Sequence, residues 1–191
     1  MATLSREQLV SMGFRNLGEN VRISDRAAIY NASEISIGNN VRIDDFCVLS
    51  AGSGGISIGD FIHIAVFCSL IGREHIALDD FCNLSSRVSI YSSNDDYSGA
   101  TLTNPTIPEE FKSVKHGKVH LHKHVIVGAG SVVLPDVSLG IGVAVGALSL
   151  VTRSAPEFSV LAGIPARRVG ERKRDLLEIE NRFRNSLLKL Q

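Results

Sequence analysis

The feature that most constrains the fold is an aliphatic residue that recurs every six positions near the C-terminal third of the chain. The segment VIVGAGSVVLPDVSLGIGVAVGALSLVTRS places it at Val127, Val133, Leu139, Val145 and Val151. A strand repeats every two residues and a helix every three or four, so neither element alone produces a period of six. A six-residue period is typical of a parallel β-helix, in which each hexad is a short strand followed by a corner.

The same register extends over most of the chain. Six groups of three aliphatic anchors have a spacing of six within each group: Leu17, Ile23, Ile29, Ile37, Ile43, Leu49, Ile58, Ile64, Leu70, Leu78, Leu84, Ile90, Leu121, Val127, Val133, Leu139, Val145 and Val151. Three hexads make one triangular coil, so this pattern predicts an all-β solenoid of about six coils. All extra residues fall after the third anchor of a group, which predicts that insertions leave the prism at one edge.

The fourth residue after an anchor is also predicted to point inward. Cys47, Cys68 and Cys82, which are all the cysteines of the chain, occupy this position. We therefore interpret them as small buried hydrophobic residues and not as ligands or nucleophiles. An odd number of cysteines does not suggest a disulfide framework, and we expect a cytoplasmic protein.

Composition excludes several partners. The chain has 20 Lys and Arg and 20 Asp and Glu, so its formal net charge is zero. A general nucleic-acid binder needs a basic excess, and we therefore expect no nucleic acid as partner. No apolar run is long enough to span a bilayer, and the first residues lack the pattern of a signal peptide, so we expect no membrane insertion.

The two ends of the chain lack the hexad register and divide it into three regions. Residues 1–16 are predicted to form an N-terminal cap with a helix over about 6–12, because Ser5 and Gln8 match a capping box. Residues 17–156 are the predicted β-helix. Residues 157–191 form a C-terminal tail and an amphipathic helix, expected to end the prism or to cover its open edge. Its apolar residues are Leu176, Ile179, Phe183, Leu187 and Leu190.

The segment from VIVGAG to GIPARRV resembles the galactoside, maltose and xenobiotic acetyltransferase branch of the hexapeptide-repeat acyltransferase family, and the resemblance covers about residues 17–170. It implies a left-handed β-helix and a homotrimer. It also implies acetyl-CoA as acyl donor, lying in a groove between neighbouring prisms. The acceptor is expected to be a hydroxyl or amine of a sugar, or of a nucleotide-linked sugar used for surface polysaccharide.

The family resemblance also implies which residues contact CoA. Small residues are needed where the pantetheine arm lies against the prism, and basic residues where the phosphates lie. The expected cofactor-binding residues are Ala129, Gly146, Ala147, Thr152, Arg153 and Arg167. The competing interpretation is that the small residues merely fit the prism and the arginines merely solubilise its end.

The largest interruption of the repeat is residues 91–118, a polar segment with prolines that we interpret as a functional loop. Similar transferases carry a catalytic histidine near its start, where this chain has Asp95. Three explanations remain open. Asp95 or Asp96 is the base, a histidine (His63, His75 or His116) reaches in across the trimer, or an amine acceptor needs only to be oriented. Asn94, Tyr97 and His116 are expected to contact the acceptor.

The motif HLHKH alternates His120, His122 and His124, a spacing that suggests metal ligands. These residues flank the inward anchor Leu121 and are expected to straddle a corner, so we expect no metal. Two alternatives to an acyltransferase remain at this stage. One is a γ-class carbonic-anhydrase-like zinc enzyme with histidines that converge at a subunit interface, and the other is a non-catalytic solenoid scaffold.

Overall fold

The chain folds as a triangular β-solenoid in the computed structural model, which describes residues 2–188. Helix α1 (Arg6–Ser11) comes first, and its capping box is formed: Ser5 Oγ accepts from the Gln8 backbone N–H at 3.2 Å, and Gln8 Oε1 accepts from the Ser5 N–H at 2.8 Å. The first four coils follow, with strands β1 (Asn16–Leu17), β2 (Arg22–Ile23), β3 (Ala28–Tyr30), β4 (Ile35–Ile37), β5 (Arg42–Ile43), β6 (Val48–Ala51), β7 (Ile56–Ile58), β8 (His63–Ile64), β9 (Ser69–Gly72), β10 (Ile76–Leu78), β11 (Asn83–Leu84) and β12 (Ser89–Tyr91).

A protruding loop separates the fourth coil from the fifth. The remaining elements are β13 (Ser93–Asn94) and β14 (Lys115–His116) in the loop, β15 (Val119–Leu121), β16 (Ile126–Val127), β17 (Val132–Val133), β18 (Ser138–Leu139), β19 (Ala144–Val145), β20 (Leu150–Val151), β21 (Ser159–Gly163), β22 (Ala166–Glu171) and helix α2 (Leu176–Leu188). Short 3₁₀ turns span Ala32–Glu34 and Glu109–Phe111.

Parallel strands from successive coils stack into three faces. Face A contains β1, β4, β7, β10, β15 and β18; face B contains β2, β5, β8, β11, β16, β19, β21 and β22; face C contains β3, β6, β9, β12, β17 and β20. Six coils are complete, and β21 begins a seventh. The fold is a left-handed β-helix, and this confirms the predicted fold class.

The three edges of the prism differ in what they carry. Corner A–B joins the first and second strands of a coil (residues 79–82 in the fourth coil), corner B–C joins the second and third (residues 85–88), and corner C–A leads to the next coil. The protruding loop, 92–118, leaves at corner C–A. The prediction that insertions share one edge is confirmed.

The core is a set of stacked aliphatic columns. Sixteen of the eighteen predicted anchors are buried, while Leu17 and Ile29 in the first coil are partly buried. All three cysteines are free and buried among them, as predicted, and burial raises the pKa of the Cys82 thiol to about 12. A thiol so hard to ionise is a poor nucleophile.

Corners carry residues with a left-handed backbone. Phe67, Phe81 and Arg87 have φ between 61° and 63°, and each comes directly before an inward-facing residue. This conformation is uncommon for large side chains, and the coils stacked above and below hold it in place. As a result the corner side chains project outward, where they contact another element of the chain or solvent.

The C-terminal region differs from the expectation in two ways. Strands β21 and β22 pair as an antiparallel hairpin that extends face B, so regular structure continues past residue 156. Helix α2 does not close the end of the prism. It lies along corner A–B, where Phe183 packs edge-on against Phe61 at 5.1 Å and Phe81 at 6.1 Å. The predicted helix residue Leu190 lies outside the described residues.

Candidate functional site

A groove of about 330 Å³ runs along corner B–C from the fourth coil to the sixth. Its wall consists of Ser86, Arg87, Ala129, Gly130, Ala147 and Leu148. Ala129 and Ala147 are exposed, and both were predicted to contact CoA. They stand two residues after the anchors Val127 and Val145. Ser86 stands two residues after Leu84, so extending that column by one coil would have found it from the sequence.

The groove stays shallow because the coils approach closely beneath it. A Cβ atom on Gly128 would lie 2.5 Å from the backbone nitrogen of Ala147, so only glycine fits. Gly146 is less constrained, since a Cβ there would meet Ala162 at an ordinary 3.4 Å. Small side chains leave backbone amides accessible, which suits a long amide-containing ligand.

A second depression, of about 180 Å³, lies at the C-terminal end of the prism. The hairpin β21–β22 brings Arg167 and Arg168 beside Arg153, and all three arginines line this depression. Arg153 and Arg167 have no carboxylate within 4 Å among residues 2–188. Neither guanidinium is therefore neutralised by an acidic side chain of the described residues. A pocket with unpaired guanidinium groups favours phosphate groups. Thr152, half-buried, comes directly after β20.

These two features fit coenzyme A in its chemistry. The groove offers accessible backbone and small side chains, as a pantetheine arm requires, and the arginine depression offers charge for phosphates. The structure brings together Arg153 and Arg167 in one place and Ala129 and Ala147 in another. Each of these pairs is separated by 14 to 18 positions in the sequence.

The base of the protruding loop is a two-strand hairpin. Ser93 pairs with His116 and Asn94 with Lys115 in antiparallel register. Ser93 Oγ lies 2.8 Å from Nδ1 of His116, and it also accepts from the Arg73 backbone N–H at 2.9 Å. The hairpin therefore holds Asn94, Asp95 and His116, three of the predicted site residues, in one small region.

The two aspartates of the loop have different surroundings. Asp96 accepts hydrogen bonds from the backbone N–H groups of Ser98 at 2.8 Å and Thr101 at 3.0 Å, and from the Thr101 hydroxyl at 3.0 Å. These bonds, with Ser98 first, lower the pKa of Asp96 to about 2. Asp95 is exposed, and its carboxylate has no hydrogen-bond or ion-pair partner among residues 2–188. Asp96 thus fixes the loop, whereas Asp95 is available to a ligand.

His63 and the loop lie on different sides of one prism. His63 projects from β8 on face B, which is flanked by corners A–B and B–C, whereas the loop leaves at corner C–A. Its Nε2 lies 2.9 Å from Oδ2 of Asp44, and Asp44 Oδ1 accepts from Nε of Arg42 at 2.7 Å. Burial by itself raises the pKa of Asp44, but hydrogen bonds from His63 and Arg42 lower it overall. Within one chain, His63 does not meet Asp95.

Tyr97, the remaining residue predicted to contact the acceptor, is 88% exposed on the loop. Another depression, of about 420 Å³, lies on the first two coils and is lined by Asn20, Arg22, Asn40, Val41 and Arg42. On face A, potential ligand atoms of Asp79, His120 and His122 lie within 4.8 Å of one another. None of the helices described is long and apolar enough to cross a membrane.

The left-handed β-helix, the groove of small residues and the depression lined by three arginines agree with the expected class, a CoA-dependent acyltransferase. No family model matches the sequence. The chain is 54% identical, over 188 residues and 98% of both chains, to the dTDP-4-amino-4,6-dideoxy-D-glucose acyltransferase of Escherichia coli.

Solved structures lead to the same class. A mutant of AntD, an N-acyltransferase from Bacillus cereus, in complex with dTDP-4-amino-4,6-dideoxyglucose and coenzyme A superposes with a TM-score of 0.93 at 49% identity, covering 96% of this chain and 97% of that one. AntD in complex with dTDP and 3-hydroxybutyryl-CoA gives 0.92 at 48% identity and 97% of both chains. The chain belongs to the hexapeptide-repeat acyltransferase family, and it is an enzyme that uses an acyl-CoA as cosubstrate.

Proposed function

We propose that this protein transfers an acyl group from acyl-CoA to the amino group of a dTDP-linked 4-amino-4,6-dideoxyglucose. The 54% identity to the Escherichia coli acyltransferase over nearly the whole chain supports this acceptor. The product is an amide-bearing nucleotide sugar, which serves as a precursor for surface polysaccharide. The three free cysteines agree with a reaction in the cytoplasm, where thiols stay reduced.

The observation that carries the proposal is the unpaired carboxylate of Asp95 on the loop hairpin. A sugar hydroxyl is a poor nucleophile at neutral pH and benefits from a strong base. A neutral amine is already nucleophilic, so it needs a group that binds and orients its N–H bonds. An exposed carboxylate that accepts hydrogen bonds is suited to this task, and it occupies the place where similar O-acetyltransferases carry histidine.

The transfer follows from these roles. The amine nitrogen attacks the thioester carbonyl carbon, a C–N bond forms, and the C–S bond breaks with CoA leaving as a thiolate. The nitrogen loses one proton as the amide forms, and the departing sulfur accepts a proton, so the charges balance. In this scheme Asp95 orients the amine, while Asn94 and His116 on the same hairpin contact the sugar.

The donor half of the proposed site lies along corner B–C. The pantetheine arm lies against Ala129, Gly146 and Ala147, and Thr152 contacts the part of CoA farther from the thioester. Arg153 and Arg167 bind the CoA phosphates, with Arg168 beside them in the same depression. The groove points toward Ser86 and Arg87 in the fourth coil, the coil from which the loop departs.

We further propose a homotrimer in which each site forms between two subunits. The loop leaves at corner C–A, while the groove follows corner B–C, so one prism presents the two halves on different edges. A loop that reaches the groove of a neighbour would bring them together. The same packing would let His63 of face B approach a loop from another subunit, where Asp44 fixes its imidazole.

The acceptor is tested by comparing two sugars that differ in one group. Purified protein is given acetyl-CoA or 3-hydroxybutyryl-CoA with dTDP-4-amino-4,6-dideoxyglucose or with its 4-hydroxy counterpart, and CoA release is followed. We expect the amine to react at least about 100-fold faster, because the hydroxyl lacks an effective base. Equal rates with both sugars, or no acylation of the amine, would refute the proposal.

The role of Asp95 is tested against its neighbour. Asp95→Asn keeps size but removes the charge, and we expect kcat to fall about 100-fold through misplacement of the amine. Asp96→Asn is the matched control: it weakens the bonds to Ser98 and Thr101 but leaves Asp95 in place, so we expect a smaller loss. CoA affinity should be unchanged in both. If Asp96→Asn loses the more activity, the assignment of Asp95 is wrong.

A further inference from the structure

A cluster of two histidines and one aspartate on face A shares no residue with the proposed acyl-transfer site. Asp79 follows β10 in the fourth coil, and His120 and His122 belong to the fifth coil, on and just after β15. Nε2 of His120 lies 2.9 Å from Oδ1 of Asp79, and Nδ1 of His122 lies 3.2 Å from Oδ2. Each carboxylate oxygen thus faces one imidazole nitrogen, and all three ligand atoms lie within 4.8 Å of one another.

The second imidazole nitrogen of His122 also has a hydrogen-bond partner. Its other nitrogen, Nε2, lies 3.3 Å from Oγ of Ser138, which stands directly opposite His120 on β18 of the sixth coil. A hydrogen bond to the distal nitrogen is the usual way in which proteins fix the orientation of a metal-ligating histidine. Three successive coils therefore contribute to one arrangement of ligand atoms.

The chemistry of the three groups selects a class of ion. Two imidazole nitrogens and one carboxylate oxygen suit a divalent transition ion, and zinc commonly takes three such protein ligands with water in the fourth position. The side chains are between 36% and 38% exposed, so an ion and its water can reach them. Calcium and magnesium prefer oxygen ligands alone and fit poorly here.

His124, the third histidine of the motif, takes no part in the cluster. It turns away at corner A–B, where its ring stacks on Phe81 at 5.0 Å and its Nε2 lies 2.6 Å from Oε2 of Glu180 on helix α2. The backbone thus divides the alternating motif into two roles. The expectation of no metal treated the three histidines as one group around a corner, and it did not include Asp79 from the preceding coil.

We propose that Asp79, His120 and His122 form a zinc site that links the fourth and fifth coils. These coils are the two between which residues 92–118 leave the solenoid, and Asp79 is 43 positions from His122. Every other pair of neighbouring complete coils is joined by a short connection. An ion bound here holds the two sides of the long insertion in register and binds only the folded chain, so it stabilises the fold by mass action.

The test uses full-length protein without an affinity tag, dialysed first against a chelator. Zn²⁺ is then titrated against a competing indicator, and bound zinc is measured by elemental analysis. We expect one zinc per chain and a rise of the thermal midpoint with zinc. Co²⁺ in place of zinc should give visible absorption bands of a site with nitrogen and oxygen ligands.

Variants locate the site independently of enzyme activity. Asp79→Asn or His122→Ala should reduce zinc affinity by more than the roughly 10- to 100-fold that loss of an outer partner costs, and Ser138→Ala should fall within that range. The control is His75→Ala, because His75 contacts the Gly54 carbonyl and Ser57 and lies outside the cluster. Thermal midpoints without zinc report whether each variant folds.

Two results would overturn the proposal. One is wild-type protein that binds no zinc above the level of the double variant His120→Ala, His122→Ala. The other is zinc affinity that survives in His122→Ala and Asp79→Asn, which would place the ion elsewhere. Loss of zinc in folded variants, together with retention in His75→Ala, supports the site whatever the acyl acceptor proves to be.

Discussion

Two corners of the same prism share a left-handed backbone conformation, but a helix covers one of them and the other is open to solvent. Corner A–B carries Phe61, Phe81 and His124, all with φ between 57° and 63°, and helix α2 covers it. Corner B–C carries Arg87 and Leu148 with φ of 61° and 54°, together with small residues, and it stays open as a groove. The solenoid backbone thus offers equivalent edges, and side chains decide which edge the chain covers and which it leaves for a ligand.

The closed corner is held by charge as well as by aromatic contact. Glu180 of α2 accepts from Lys123 Nζ at 3.0 Å and from Arg184 Nε at 2.7 Å, and it also contacts His124. Arg184 in turn reaches Oδ2 of Asp80 at 2.8 Å. The open corner has no such network along its groove among the described residues, so its walls remain exposed.

The largest expected effect comes from filling the open corner. Ala147→Trp places a large ring across the groove, and we expect kcat/KM to fall at least about 100-fold because the thioester can no longer reach its position. The site is exposed, so the fold should not change. Steady-state kinetics and thermal unfolding measure the two quantities.

A smaller substitution at the same position tests whether the effect of Ala147→Trp comes from the size of its side chain. Ala147→Ser adds one oxygen and should keep most of the activity. If Ala147→Trp binds CoA and turns over as the wild type does, corner B–C is not the donor groove.

The next effect comes from opening the closed corner. Glu180→Gln removes the charge that Lys123 and Arg184 share, and we expect a loss of about 2 kcal/mol in the free energy of unfolding, measured with urea. Glu178→Gln on the same helix is the control, since Glu178 is exposed and has no ion pair among residues 2–188. Similar losses in both variants would contradict the role of Glu180.

The same network predicts a pH dependence. Burial tends to raise the pKa of Glu180, but hydrogen bonds from Arg184, His124 and Lys123 lower it to about 2, against an ordinary value of 4.5. The stabilisation is therefore fully present above about pH 4.5 and is lost as the pH falls toward 2. Urea unfolding between pH 6 and pH 3 should show a decline in the wild type that is smaller in Glu180→Gln.

The smallest effect concerns the end of the open corner. Arg167→Ala should raise the KM for acyl-CoA about 10-fold with little change in kcat, because in the proposed site it removes one charged hydrogen bond that is made both before and during the reaction. Arg182→Ala on α2 is a control for loss of one positive charge. An unchanged KM in Arg167→Ala would remove this arginine from the phosphate site.

Much of the fold could be predicted because a solenoid is built from local contacts. Each hexad contacts its neighbours one coil away, so a period in the sequence becomes a period in space. The buried positions of Ile64, Leu84 and Val127 follow from spacing alone. The same argument predicted the single edge for insertions. The expectation that Ala129 and Ala147 line the groove came instead from the family resemblance.

Other features could not be predicted from the sequence, because they depend on the conformation of segments outside the repeat and on the surfaces that these segments contact. Asp95 and Asp96 are adjacent and chemically equal, and only the turn at Ser98 and Thr101 distinguishes them. The amphipathic pattern of α2 indicated a helix but not the surface it covers. That surface is set by Phe81 and Asp80, about 100 positions earlier in the chain.

The sequence by itself determined the prism, its core columns and its insertion edge, because stacking of hexads leaves little freedom beyond the repeat. The tertiary structure decided which corner α2 covers, which aspartate is free, and that Asp79 meets two histidines across a long insertion. Those outcomes arise from contacts between segments far apart in the chain, which no local period encodes.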